Sequence, residues 1–360
     1  MTCSAPRRCL AVASITKVVT CAALAISLSA PKTLANNLPA LGADLRQTSV
    51  SGLSSGSYMA AQFQIAHGDI VVGAGLIAGG PYGCAESAVF PRLSVALFGC
   101  MKTYLSWFGL PDPVKLADAA RARAKRGDIA PVSTVAADRV FLFSGRQDKI
   151  VAPAVVRASS AFYAELGVSE ARIQLVTNVD AGHAFATRNR GHACRTSKTP
   201  YIVNCDLDLA GALLQHIYGQ LRPPAEGRPT GRIVRFQQAP YAGRAVGHSL
   251  HDTGLAFIPA ACDTATGCRV HVAFHGCEQT LDDIGDVFVT HTGYLRWAAT
   301  NRMIVLYPQI AKSWSNPKGC WDWWGYTGPE YLSRRAAQIA AVRRMLARLA
   351  KPPPAASGGR

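Results

Sequence analysis

The stretch Ser51-Gly52-Leu53-Ser54-Ser55-Gly56 constrains this chain more than any other. It has the form G-x-S-x-G, centred on Ser54. A short extended run over 46–50 leads into it. The run from Ser57 to His67 leads out, with Met59, Phe63 and Ala66 spaced along one helical face. A strand that passes into a helix through so tight a turn leaves no room for side chains beside the serine, so glycines flank it. The serine then stands clear of the sheet, at a helix N-terminus whose dipole favours negative charge. The pattern alone recurs by chance, and without its context it is a glycine-rich turn holding two serines. The flanking strand and helix make Ser54 a candidate nucleophile.

The rest of the chain sets the frame for that serine. Its 360 residues, 49 % of them apolar, can build one large core. Residues 1–35 read as a secretory signal: Arg7, Arg8 and Lys17 supply charge, Val18 to Leu28 is apolar, and Thr33-Leu34-Ala35 has the small-residue form of a cleavage site. No acidic residue precedes Asp44, which argues against a structural N-terminal helix. The mature protein is then expected outside the cytoplasm, in the periplasm or the medium. No later stretch is long and apolar enough to span a bilayer.

Losing Arg7, Arg8, Lys17 and Lys32 lowers the formal charge from +16 to +12. The remaining basic residues are scattered rather than interleaved with aromatics, and no nucleic-acid motif appears. A solvated basic surface is the expectation, with no nucleic-acid partner. Cys84, Cys100, Cys194, Cys205, Cys262, Cys268, Cys277 and Cys320 remain after the signal. An even number in an exported chain points to disulfides. Pairing neighbours gives 84–100, 194–205, 262–268 and 277–320, although sequence alone leaves connectivity open. No C-x-x-C pair is present, so neither a metal nor any other cofactor is expected.

In chain order, strands alternate with helices. Strands are expected over 70–78, 139–143, 173–176, 254–259, 270–274 and 303–308. Helices are expected over 114–126, 155–166, 201–221, 292–301 and 330–349, with an irregular cysteine-bounded stretch over 82–100 and a disordered tail over 351–360. Strands this apolar are buried on both faces, which implies an α/β fold with a mostly parallel sheet. In such sheets the working residues lie beyond the carboxyl ends of the strands. Ser54 follows the first strand. Asp148 follows 139–143, and His183 follows 173–176, in the settings S-G-R-Q-D and D-A-G-H.

The order Ser, Asp, His is that of α/β-hydrolases. His183 would take the proton from Ser54, and Asp148 would fix the imidazole tautomer. Asp180 is a rival for the acid; His192 and His216 are rivals for the base, His216 within an apolar helix-like run.

The strand over 270–274 ends in His275-Gly276-Cys277. In an ordinary hydrolase that loop precedes the elbow and supplies an oxyanion donor. Here it follows by more than two hundred residues. A circular permutation accounts for this, with the whole of 36–350 as one domain. The backbone N–H groups of Ser55 and Cys277 would then hold the oxyanion. Trp321, Trp323, Trp324 and Tyr326 lie within six residues, more aromatic surface than one turn can bury. On a loop beside the cleft they would form an apolar contact for a substrate.

The segments G-L-S-S-G-S-Y-M-A, I-A-G-G-P-Y-G-C-A, S-G-R-Q-D, D-A-G-H-A-F, F-H-G-C-E-Q and P-K-G-C-W-D-W-W-G-Y occur in that order. Together they resemble the circularly permuted catalytic domains of extracellular-type poly(3-hydroxybutyrate) depolymerases, from about residue 46 to about 349. The resemblance implies a serine esterase that cleaves a polyester or its oligomers to short 3-hydroxybutyrate products; separately from the resemblance, a monomer is the expectation. It implies Ser54 as nucleophile, Asp148 as acid, His183 as base, and Ser55 and Cys277 as oxyanion donors. It also implies Trp321 as a substrate contact, with a 277–320 disulfide tying the oxyanion loop to the tryptophan loop. Many secreted members carry a separate polymer-binding domain that does not follow here, so amorphous polymer or oligomers are the expected substrates. Feruloyl and acetylxylan esterases share the fold and triad and form the alternative. A non-enzymatic polymer-binding protein would be expected to lack a working triad.

Overall fold

The computed structural model describes residues 37–102, 108–243 and 247–354. The expected signal segment and the last residues of the expected tail lie outside them. Strands are β1 Thr48–Leu53, β2 Val71–Ile77, β3 Arg139–Phe143, β4 Ile173–Val176, β5 Phe185–Thr187, β6 His192–Ala193, β7 Ile202–Asn204, β8 Gly231–Gln237, β9 Thr253–Pro259, β10 Arg269–Phe274 and β11 Met303–Tyr307. Helices are α1 Ser55–Ala66, α2 Arg92–Phe98, α3 Pro113–Lys125, α4 Pro153–Glu165, α5 Leu209–Tyr218, α6 Ala239–Ala242, α7 Ala260–Thr264, α8 Leu281–Ile284, α9 Val287–His291, α10 Tyr294–Thr300 and α11 Ala337–Ala350.

The main sheet runs β4-β3-β2-β1-β10-β11-β9-β8. From β4 to β11 every pairing is parallel, and only β9 and β8 join antiparallel. The first half of the chain supplies one side of the sheet and the second half the other. The seam is β1 on β10, with Ser49 opposite His271 and Gly52 opposite Phe274. The elbow strand and the His-Gly strand are therefore direct neighbours although 222 residues separate Ser49 from His271. That is the adjacency a permuted chain order requires.

Side chains alternate between two cores with the period-two geometry of strands. Val140 and Leu142 of β3, Val270, Val272 and Phe274 of β10, and Ile304 and Leu306 of β11 face one core, shared with α1, α4 and α11. Phe141 and Phe143, Ala273, and Met303, Val305 and Tyr307 face the other, shared with α5 and α10. Burial on both faces is what their unbroken apolar runs predict. Helix starts are set locally. Asp112 accepts from the Val114 N–H at 3.0 Å with Pro113 as the first helical residue of α3, and Asp208 caps α5 through the Gly211 N–H.

Four disulfides close the neighbour pairs Cys84–Cys100, Cys194–Cys205, Cys262–Cys268 and Cys277–Cys320. Elsewhere the elements depart from the sequence reading. The helix expected over 201–221 is a strand, β7, followed by the shorter α5; Ile202 and Val203 are claimed by a small sheet ordered β5-β7-β6. The stretch 82–100 is not irregular throughout, since α2 occupies 92–98. The last helix begins at Ala337 rather than at 330.

Candidate active site

Ser54 sits between β1 and α1 with φ 57° and ψ −119°, a backbone conformation that side chains with a Cβ rarely adopt. Its N–H is held by the Ile77 carbonyl of β2 at 2.9 Å, and its carbonyl accepts from the Ser57 N–H at 2.9 Å. The glycines have a steric cause. A Cβ on Gly52 would collide with the Gly56 carbonyl, and a Cβ on Gly56 with the carbonyls of Phe274 and His275. The elbow is thus wedged against the end of β10. An added Cβ on Gly276 would lie 3.5 Å from the Ser54 Cβ, so the His-Gly-Cys loop reaches the serine itself.

Asp148 and His183 come together from the loops beyond β3 and β4. The His183 Nδ1–H donates to Asp148 Oδ2 at 2.8 Å, with both side chains buried. Asp148 Oδ1 accepts from the N–H groups of Ile150 and Val151, each at 2.9 Å. The carboxylate is therefore fixed before it meets the ring. Nδ1 is committed to Asp148, which leaves Nε2 as the basic nitrogen. The His183 N–H donates to Ser197 Oγ at 2.7 Å, and the Tyr201 ring meets the imidazole edge-on at 6.2 Å.

The rivals lie in other contacts. Asp180 pairs with Arg195 and accepts from Gln147 at 2.8 Å. His192 bonds the Thr199 carbonyl, and His216 bonds the Arg172 carbonyl. The Ser54 hydroxyl is in no hydrogen bond among the described residues, so the structure does not close a bond between it and His183.

Ser55 is the first residue of α1, where an N–H has no intrahelical carbonyl to meet. The Cys277 N–H also donates to no acceptor among the described residues. Around it the loop is clamped. The Gly276 N–H donates to Gln279 Oε1 at 2.6 Å, the Glu278 N–H to the Lys318 carbonyl at 2.7 Å, and the Cys277–Cys320 disulfide ties the loop to 320. Sequence reasoning missed the side chains that extend this clamp. Tyr201 donates to Glu278 Oε2 at 2.8 Å, and Lys318 bonds Glu278 Oε1 at 3.2 Å. Burial pushes the Glu278 carboxyl up, but these two bonds outweigh it and leave it below its ordinary value. Burial, then the Glu278 carboxylate, pushes Tyr201 up to about 12.

The tryptophans fall at different depths. Trp321 is 0 % exposed and its ring packs on Phe274 and His275; its backbone N–H donates to Ser55 Oγ at 3.3 Å. Trp323 is buried and stacks on Tyr58 with centroids 4.1 Å apart, while Trp324 is half-buried. The indole rings are therefore wall and foundation more than an exposed platform. Asp322, which the sequence reading passed over, organises their loop. Its Oδ1 accepts from the N–H groups of Trp324, Gly325 and Tyr326, and its Oδ2 from the N–H and hydroxyl of Thr327. Among the described residues no three His, Cys, Asp or Glu side chains gather in a set that could hold a metal ion.

A strand-to-helix elbow beside an oxyanion-type loop, on a mostly parallel eight-stranded sheet, defines an α/β-hydrolase of the serine-hydrolase class. No family model matches the chain. Two solved structures superpose with TM-score 0.78, each covering 88 % of this chain and 99 % of the other. One is a PHB depolymerase from Penicillium funiculosum at 34 % identity, and the other a PHB depolymerase variant complexed with an R3HB trimer at 33 %. A polyhydroxybutyrate depolymerase of Talaromyces funiculosus is 36 % identical over 334 residues, 88 % of this chain and 93 % of that protein. A poly(3-hydroxybutyrate) depolymerase of Delftia acidovorans is 40 % identical over 318 residues; the match takes in 87 % of this chain but 61 % of that longer protein. The chain belongs to the poly(3-hydroxybutyrate) depolymerase family.

Proposed function

We propose that this chain hydrolyses poly(3-hydroxybutyrate) or its oligomers to short 3-hydroxybutyrate products through an acyl-enzyme. The observation that carries the reading is the strained serine at 54, wedged against the loop that ends β10, within a chain of this family. Ser54 Oγ attacks the ester carbon while His183 Nε2 takes its proton. Asp148 holds the ring from the Nδ1 side and stabilises the imidazolium. The carbonyl oxygen, now negative, accepts from the N–H groups of Ser55 and Cys277, each donor worth about 2.7–4 kcal/mol. The C–O bond to the leaving alcohol breaks as His183 returns the proton to it. Water then attacks the acyl-serine with His183 again as base, and releases the carboxylic acid product and Ser54.

Apolar surface near the site suits an ester polymer. Val89, Phe90, Leu93 and Leu97 are exposed on the 88–98 segment, whose inner side chains Val95 and Ala96 cluster with Tyr58 and Trp323. We assign residues 1–35 as an export signal, 36–350 as the catalytic domain and 351–360 as a tail, which puts the enzyme in the periplasm or outside the cell. Among the described residues no helix is long and apolar enough to cross a membrane. The test is product analysis on amorphous poly(3-hydroxybutyrate) beside feruloylated arabinoxylan. Release of 3-hydroxybutyrate and its dimer, without ferulate, is expected. Ferulate release from a protein inert on the polyester would overturn the substrate assignment.

A further inference from the structure

A groove of about 790 Å³ opens between the end of β5, the α9–α10 junction and the start of β8. None of Ser54, Asp148 and His183 lines it. Its cations are all arginine: Arg188, Arg190, Arg228, Arg232 and Arg296. A single carboxylate, Asp208, shares the lining, and both its oxygens are engaged. Oδ1 accepts from the Gly211 N–H and Oδ2 from Trp297 Nε1, each at 2.9 Å. Asp208 therefore caps α5 instead of pairing with the arginines.

Two of the five guanidinium groups are anchored. Arg232 pairs with Asp263 at 2.7 Å, and Arg296 Nε donates to the Ala225 carbonyl at 2.8 Å. The guanidinium groups of Arg188, Arg190 and Arg228 have no partner among the described residues. Unpaired cations facing one groove repel one another, and an anion between them removes that cost. Arginine outnumbers lysine along the whole chain, so the three unpaired groups in one lining mark the groove, not the residue type. Each presents a planar fork that matches phosphate and carboxylate in bidentate fashion.

We propose that this groove is a second binding site, separate from the ester-cleaving cleft, for a polyvalent oxyanion. A compact monovalent anion satisfies one fork. Three unpartnered forks around a groove of this volume fit an extended ligand with two or more phosphate or carboxylate groups. The surplus positive charge of the whole chain attracts such a ligand from a distance, so binding weakens as salt is added.

The test is calorimetric titration of the full protein with inorganic tripolyphosphate and, separately, with propane-1,2,3-tricarboxylate. Both are repeated on Arg188→Gln/Arg190→Gln/Arg228→Gln. A charge-matched control, Lys125→Gln/Arg157→Gln/Lys351→Gln, removes the same charge elsewhere. All three proteins are expected to hydrolyse p-nitrophenyl butyrate equally, which checks the fold. The expected result is one saturable site, weakened on the order of tenfold or more in the groove variant and little changed in the control. Tighter binding of either anion supports the site and says whether phosphate or carboxylate is its ligand. Equal weakening in both variants, or no saturable binding of either anion, would overturn the proposal.

Discussion

His275 donates from Nδ1 to the carbonyl of Gly276 at 2.7 Å and accepts the Ile310 N–H at Nε2 at 3.3 Å. Both ring nitrogens are used, so the neutral tautomer is fixed, and burial lowers the histidine to about 4. A trans peptide points its N–H opposite to its carbonyl. Turning the Gly276 carbonyl toward the imidazole therefore turns the Cys277 N–H away from it, free for an oxyanion. His275→Ala releases that peptide. Ester hydrolysis is expected to lose roughly a hundredfold in kcat with little change in KM. His275→Asn, which keeps a donor near the Nδ1 position, is expected to recover part of it. An unchanged kcat in the alanine variant would show that the peptide holds its orientation without the ring.

Asp148 spends one oxygen on two backbone N–H groups and the other on His183. Asp148→Asn keeps the shape but offers an amide where Nδ1–H needs an acceptor. The ring then favours the tautomer whose Nε2 cannot take a proton. A loss of roughly ten-thousand-fold in kcat is expected, with thermal stability reduced far less. Steady-state kinetics on p-nitrophenyl butyrate beside a melting curve checks both.

Asp322 gathers four N–H groups and one hydroxyl around a carboxylate 1 % exposed. Burial pushes its carboxyl up against these bonds. Asp322→Asn replaces one acceptor by a donor facing donors, a loss of roughly 2–4 kcal/mol. The loop that carries Trp323 and Trp324 is expected to loosen, raising KM for a 3-hydroxybutyrate trimer more than for p-nitrophenyl butyrate. Equal effects on the two substrates would argue for a purely global destabilisation.

Cys277–Cys320 closes a loop of 43 residues. By chain entropy such a link contributes about 4 kcal/mol. Cys277→Ser/Cys320→Ser should lower the melting temperature and also kcat, because the proposed oxyanion donor sits on the bridged residue. The corresponding double variant at Cys262 and Cys268, whose loop is 6 residues, should lower the melting temperature less and leave kcat unchanged.

Three buried histidines set the acid limit. Burial lowers His67 to about 4, His271 to about 3 and His275 to about 4. His271 lies between Ser49 at 2.6 Å and Ser51 at 2.8 Å. Between pH 6.5 and 4 the unfolded chain binds these protons and the folded chain does not, so stability falls as pH falls. Asp138 acts in the opposite sense: burial raises it to about 7, so there the folded state holds the extra proton. His216, also lowered by burial, adds to the loss, and Asp322, also raised by burial, opposes it, which leaves a net loss on the order of 1–3 kcal/mol per pH unit through that window. Melting temperature against pH checks the sign; a flat profile would contradict it.

The sequence carried the catalytic edge of the fold because its signals are local. Within Arg139–Phe143 the four residues from Val140 to Phe143 are all apolar and a turn follows, so the ends of this strand could be read directly. The elbow glycines answer to collisions within a few residues and with one neighbouring strand. The small sheet was hidden because Ile202–Asn204 is three residues long and is defined by partners β5 and β6, while its neighbours continue a helical pattern. The edge strand Gly231–Gln237 was hidden because only Val234 and Phe236 are buried, and Arg232 and Arg235 interrupt the apolar pattern on both of its faces. Depth within Trp321–Trp324 was not legible either, since one residue type in one run serves as core at 321 and as partly open surface at 324.

In the proposed mechanism Ser54 carries the acyl group. Acid-quenching the enzyme during turnover of p-nitrophenyl butyrate and mapping the adduct by peptide mass spectrometry tests it directly. A butyryl group on Ser54 is expected, and Ser54→Ala is expected to lose both adduct and turnover with the fold retained. A butyryl group on Ser55 or elsewhere, or undiminished turnover in that variant, would contradict it.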